Sequence, residues 1–148
     1  MNLFDAEILA KELISEHIPH YRFGWMNEKT VNGRCRYDSK TIVLSRPRTT
    51  LRTRDAVRNT IMHEIAHALT PEAGHGRAWK MQMIRFGLKP ERCSSDAIDE
   101  SRISNWRAVC KGCGKISYMI RKPRVDRSCG ECSPKVYNEK YLLTYKRM

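Results

Sequence analysis

The sequence predicts an α+β protein in two parts: a small domain of helices and short strands over residues 1–100, then a β-rich module over residues 101–148. Three observations carry this. Apolar residues recur at helical spacing in three stretches of the first part. Ile42-Val43-Leu44, β-branched and apolar between polar flanks, reads as a strand. Two Cys-x-x-Cys pairs, Cys110/Cys113 and Cys129/Cys132, mark a metal-stapled module in the second part. A chain of 148 residues has room for one such domain and one such module.

In order along the chain, Ala6, Leu9 and Leu13 with Ile8, Ile14 and Ile18 predict a first helix over about residues 5–17, ended by Pro19. Phe23-Gly24-Trp25-Met26 and a polar stretch follow. Arg34–Tyr37 and Thr41–Ser45 read as short strands of an antiparallel sheet, joined at Asp38-Ser39-Lys40, with Pro47 closing the second. A basic connector carries Arg46, Arg48 and Arg52. Thr53 is the expected N-cap of a second helix, with Asp55 in its first turn. Val57, Ile61, Ile65 and Ala68 mark its apolar face, and Thr70-Pro71 ends it. Trp79, Met83 and Phe86 mark a third helix that stops at Gly87. The polar stretch 91–105 reads as a linker. Trp106–Val109, Ile116–Ile120 and Tyr141–Tyr145 are the expected strands of the second module.

Hydrophobic content of 41% and charged content of 30% describe a globular chain rather than a disordered one. No apolar run reaches the ~18 residues of a membrane span. Asp5, Glu7 and Lys11 interrupt the first apolar stretch, which excludes a secretory leader there and leads to the expectation of a cytoplasmic protein, or a nuclear one in a eukaryote. In such a reducing compartment, paired cysteines mean metal rather than disulfides. Cys35 and Cys93 stand alone and read as small buried hydrophobes.

Residues 63–67 read His63-Glu64-Ile65-Ala66-His67. Four residues turn a helix through roughly 400°, so His63 and His67 lie about 40° apart on one face, one turn along. Both imidazoles can reach a single zinc ion. Glu64 points roughly 100° round from His63, beside the metal, where it can take a proton from water as general base. With five His and ten Glu, a shuffled chain would show this pattern with a frequency of about 0.01. A lone histidine would be read as an ordinary surface or core residue; this pair with its glutamate is not. A catalytic zinc takes a third protein ligand. Thr70-Pro71 and Gly74 can reverse the chain and return His75 to the site. Glu72 is the rival, and His17 and His20 fit a helix end better.

The four cysteines, with Gly112, Gly114 and Gly130 in their turns, suit a closed tetrahedral site. Four thiolates leave no open position, so this second zinc is structural. The expected complement is two zinc ions per chain, one catalytic and one structural. Residues 101–148 carry 12 Lys/Arg against 3 Asp/Glu, a net +9, whereas residues 1–100 carry only +3. Arg121, Lys122, Arg124 and Arg127 lie in this basic stretch, with Tyr118 close by. Cations for phosphate and rings for stacking are what single-stranded nucleic-acid grooves use, so DNA with single-stranded character is the expected partner. The bland alternative is a solvated basic face with tyrosines in a small core.

These pieces, in this order, resemble the SprT-like family, which includes the Spartan-type DNA-dependent proteases. The resemblance runs through Gly33-Arg34-Cys35, Thr41-Ile42-Val43-Leu44-Ser45, His63-Glu64-Ile65-Ala66-His67-Ala68 and His75-Gly76-Arg77-Ala78-Trp79 to the Cys₄ ribbon. It implies a zincin-like fold, His75 as the third ligand, and peptide hydrolysis. It also implies substrates associated with or crosslinked to DNA, stimulation by DNA and a role in DNA repair. Beside it stands a reading from another class: a non-catalytic zinc protein that binds nucleic acid in transcription. A structural site needs no carboxylate next to its first histidine, and Glu64 supplies one. Thr41–Ser45 is the expected edge for an extended substrate. Tyr37 and the arginines at 46–54 are the residues considered for stabilising the oxyanion.

Overall fold

The Asn2 side-chain oxygen accepts the Asp5 amide at 2.8 Å and starts the first helix, α1 (Leu3–His17). Its inner face buries Ala6, Leu9, Ala10, Leu13 and Ile14, the spacing that predicted it. The computed structural model describes residues 1–94 and 96–148; Ser95, inside the stretch read as a linker, lies outside the described residues. They form two units, Met1–Ile98 and Asp99–Met148.

In the first unit, β1 (Arg22–Met26), β2 (Gly33–Arg36) and β3 (Thr41–Ser45) form one sheet in the order β1-β3-β2. β2 and β3 pair antiparallel as expected, through a turn in which Lys40 takes a left-handed φ of 47°. β1 pairs parallel to β3, so the sheet is mixed. β3 is therefore the central strand, bonded on both sides, and Thr41–Ser45 cannot be the open edge that the sequence suggested. Ile42, Val43 and Leu44 are all buried, as a strand covered on both faces requires.

The Ser45 hydroxyl accepts the Arg48 amide and caps a short helix, α2 (Arg46–Thr49), with Pro47 in its first turn. The Thr53 side chain caps α3 (Arg54–Leu69) by accepting the Ala56 amide at 3.2 Å. Val57, Ile61, Met62 and Ile65 of α3 pack with the inner face of α1 and with Ile42 and Leu44 into one core. Burying such side chains stabilises by about 1.5–3 kcal/mol each, which fixes α3 against the sheet. α4 (Arg77–Arg85) adds Trp79 and Met83 to a satellite cluster with Ala66.

The stretch 91–105 is not a free linker. The Arg52 side chain is almost wholly buried and needs a counter-charge; the Asp96 carboxylate accepts from it at 2.6 and 2.9 Å. That ties the segment after α4 to the first unit. Beyond it, a 3₁₀ turn at Glu100–Arg102 and the buried Ile103 belong to the second unit. There β4 (Trp106–Cys110), β5 (Ile116–Met119) and β6 (Leu143–Arg147) make an antiparallel sheet in the order β5-β4-β6. Among the described residues no helix is long and apolar enough to cross a membrane.

Candidate metal centres and active site

His63 and His67 sit one turn apart near the C-terminal end of α3. The helix stops where the Thr70 hydroxyl bonds back to the Ala66 carbonyl and Pro71 denies the next turn. The chain then reverses through Gly74, in a left-handed φ of 53°, and Gly76, where a Cβ would lie 2.8 Å from the Ala73 carbonyl oxygen. The reversal brings His75 back over α3. The three Nε2 atoms lie 3.1–3.2 Å from one another.

That triangle is what a metal needs. Zinc–nitrogen bonds of ~2.0–2.1 Å at tetrahedral angles set the ligand atoms about 3.3–3.4 Å apart. Burial, and then the neighbouring imidazoles, push His63 and His67 down to about 4, so both are neutral at pH 7 and keep a lone pair for a metal. Burial followed by the Arg92 charge lowers His75 as well. Glu72, His17 and His20 lie outside the cluster, and Glu72 is exposed. His75→Ala is expected to strip the metal from this site and leave the thiolate site filled, with Glu72→Ala as the matched control. Elemental analysis of both variants checks this; metal lost from Glu72→Ala alone would overturn the assignment.

Trp79, fully buried on α4, backs the triad. Its ring centroid lies 4.7 Å from those of His63 and His75 and 5.5 Å from that of His67. The sequence marks Trp79 as an apolar position of a helix and as the end of the His75–Trp79 stretch that resembles the family; its contact with all three imidazoles follows from the reversal at 70–76.

Glu64 is buried beside the triad at 8% exposure. Burial pushes its carboxyl up to about 7, against the opposing pull of a hydrogen bond from the Cys35 amide and the Arg34 charge. Its partner Cys35 belongs to β2, so the sheet's outer strand passes directly beside the glutamate. An open cleft of about 1000 Å³ runs here. Gly33, Arg34, Cys35 and Tyr37 line it together with the three histidines and Glu64, and so do Lys89 and Glu91–Ser94. Cys93 lines the cleft and is exposed, contrary to the buried role expected of it. Its neighbours in the sequence, Glu91, Arg92 and Ser94, are polar. Cys35 is half-buried.

In the second unit the four cysteine sulfurs lie within 4.8 Å of one another, with Cys110–Cys132 at 3.9 Å and Cys113–Cys129 at 4.0 Å. Zinc–sulfur bonds of ~2.3 Å call for edges of about 3.8 Å. The amides of Gly112 and Cys113 point at the Cys110 sulfur from 3.3 and 3.4 Å. The Cys113 amide is the main reason that the Cys110 thiol falls to about 7. Gly112 is required because a Cβ there would meet the Tyr141 ring at 2.5 Å.

The sheet register divides the residues expected to touch nucleic acid. Tyr118 stands opposite Arg107, which stands opposite Lys146, so these three make a cation–ring row on one face. Tyr118 is 41% exposed. Lys122 serves the other face, with its ammonium 5.7 Å from the Trp106 ring and 5.9 Å from that of Tyr145. Arg121, Arg124 and Arg127 are exposed on the long connection between β5 and β6.

An α+β domain that presents His-Glu-x-x-His on a buried helix, with a third histidine returned by a chain reversal, has a zincin-like architecture. A model of the SprT-like family matches residues 3–97, and the chain belongs to that family. Among solved structures it is similar to the metallopeptidase zymogen jannalysin of Methanocaldococcus jannaschii, with 14% identity and a TM-score of 0.49 over 55% of this chain and 81% of that one. No curated protein sequence matches the chain.

Proposed function

We propose that this protein is a zinc-dependent endopeptidase that acts on proteins associated with or crosslinked to DNA, and that DNA stimulates it. The observation that carries the peptidase reading is the triangle of Nε2 atoms with the buried Glu64 beside it in an open cleft. His63, His67 and His75 would hold a catalytic zinc, and Cys110, Cys113, Cys129 and Cys132 a structural one. Bound at the histidines, zinc supplies Lewis-acid chemistry, acidifying water and polarising a peptide carbonyl. Glu64 takes the proton of the attacking water and hands it to the leaving amide nitrogen. The Cys35 amide holds the carboxylate in place for both transfers. β2, an outer strand of the sheet, offers its free edge along the cleft to an extended substrate. A non-catalytic binding role would leave Glu64 buried at a cost and without use.

The DNA half of the proposal rests on the net charge of +9 over residues 101–148, on the row Tyr118–Arg107–Lys146 and on family membership. DNA in the nucleoid, or in a nucleus, would then be where the protein works, in repair. The test is hydrolysis of casein or histone by the zinc-loaded chain, with and without single-stranded DNA and with a chelator. No chelator-sensitive cleavage under any condition would sink the peptidase reading.

Binding to a short single strand should weaken with salt, with a log–log slope of about −0.7 for each phosphate neutralised. Replacing Arg121, Arg124 and Arg127 with Ala should flatten that slope by up to about two units. Tyr118→Ala should leave the slope and remove about 1–3 kcal/mol of stacking. Lys122→Ala also removes a cap from the Trp106 and Tyr145 rings, so its effect mixes binding with stability. Titration calorimetry over a salt series separates these terms. No binding tighter than about 100 μM at about 50 mM salt, on either a single strand or a duplex, would remove DNA from the proposal.

A further inference from the structure

Peptide hydrolysis needs more than a base and a metal, because negative charge gathers on the carbonyl oxygen as water adds. A preorganised hydrogen-bond donor aimed at that oxygen is worth about 10²–10³ in rate. The sequence leaves this donor open between Tyr37 and the arginines at 46–54, and the structure separates them. Arg52 is buried and spends its guanidinium on Asp96, Thr60, Ser94 and the Ala56 carbonyl. Arg48 is engaged by Asn32 at 2.6 Å and by the Lys29 carbonyl at 3.0 Å. Arg46 lies over the Trp25 ring. Arg54 opens α3 at the end away from the triad and does not line the cleft.

Tyr37 differs from all of them. It lines the cleft together with Glu64 and the three histidines. It follows directly on β2, two residues beyond Cys35, whose amide bonds Glu64. Tyr37 opens the turn that leads out of β2, the strand packed against α3, toward β3. The ring is 41% exposed, open enough for a substrate to reach it. Among the described residues no group hydrogen-bonds its hydroxyl. We propose that Tyr37 is a catalytic residue, whose hydroxyl donates a hydrogen bond to the oxyanion formed when water adds to the scissile carbonyl. Burial, and then the neighbouring Cys35 and Glu64, raise the phenol above its ordinary value, which keeps it a donor through the reaction.

The step balances without a further reactant. The water oxygen bonds to the carbonyl carbon, and the C=O π pair moves to the oxygen that Tyr37 faces. Glu64 takes the water proton. As the C–N bond breaks, that proton goes to nitrogen, the C=O re-forms, and an amine and a carboxylic acid leave. Tyr37 stabilises the oxyanion and keeps its own proton.

The inference rests on the peptidase reading, and its test keeps the two apart. A fluorogenic peptide taken from a wild-type cleavage site serves as substrate, and the phosphinic peptide of the same sequence mimics the tetrahedral anion. Tyr37→Phe should lower kcat about 10²-fold with KM nearly unchanged. It should weaken phosphinic-peptide binding, read by calorimetry, at least about tenfold. Zinc content and melting temperature should match wild type, since only an exposed hydroxyl is lost. If wild type cleaves and Glu64→Gln does not, yet Tyr37→Phe keeps the wild-type kcat and phosphinate affinity, the role of Tyr37 is overturned and the peptidase reading stands. Loss of zinc from Tyr37→Phe would also overturn it, because the residue would then be holding the metal site. If wild type neither cleaves any peptide nor binds the phosphinate, the peptidase reading falls, and this inference with it.

Discussion

Glu64→Gln is expected to abolish measurable hydrolysis while both metal sites stay filled. The loss should be at least the ~10²-fold that a missing general base causes. Glutamine has nearly the same size and shape, and its amide oxygen can still accept the Cys35 amide that now bonds the carboxylate. It carries no charge to desolvate in this buried place, so the fold has no reason to weaken. What it lacks is a basic oxygen to receive the water proton. His63, His67 and His75 remain convergent, because none of them depends on Glu64 for its position; α3, the 70–76 reversal and Trp79 set them. Elemental analysis and a thermal melt alongside the cleavage assay make the result interpretable. Cleavage at the wild-type rate by this variant, with zinc bound, would show that another group accepts the proton and that the mechanism is wrong.

The site was legible in the sequence to the extent that local periodicity builds it. His63, Glu64 and His67 occupy one helix, so their geometry follows from spacing alone. His75 needed a chain reversal, and Pro71, Gly74 and Gly76 announced one. The four cysteines carry their chemistry in their spacing. What could not be read depends on pairing between distant segments. β1 is five residues long, has Gly24 at its centre and shows no alternation, so nothing local marks it as a strand. Without β1, β3 looks like an edge. The Arg52–Asp96 pair joins residues 44 apart, which hid the attachment of the segment after α4 to the first unit. Tyr118 and Lys122 are near neighbours in sequence, yet they serve opposite faces of a sheet whose register no local pattern reveals.

Cys129→Ser is expected to unfold the second unit and spare the first. The reason lies in how little the second unit buries. Its buried hydrophobic side chains among the described residues are Ile103, Ala108, Cys110 and Cys129, and two of those four belong to the cysteine cluster that would hold the structural zinc. A sheet of three short strands cannot offset the chain entropy with such a core. Zinc held by four thiolates contributes on the order of 10–16 kcal/mol at neutral pH, and in a unit of this size that is the folding free energy. The first unit has a core of its own, built from α1, β3 and α3, and draws nothing from the thiolates. Hydrogen exchange read by mass spectrometry distinguishes the two. In the variant, amides of β4–β6 should exchange at once, while those of α1 and α3 keep wild-type protection. DNA binding should vanish with the second unit, because the row Tyr118–Arg107–Lys146 exists only while β4, β5 and β6 are paired. Hydrolysis of an unstructured peptide should persist without DNA, since His63, Glu64, His67 and His75 all lie in the first unit. Full protection of β4 in Cys129→Ser, with only the histidine metal present, would show that the ribbon folds without its zinc.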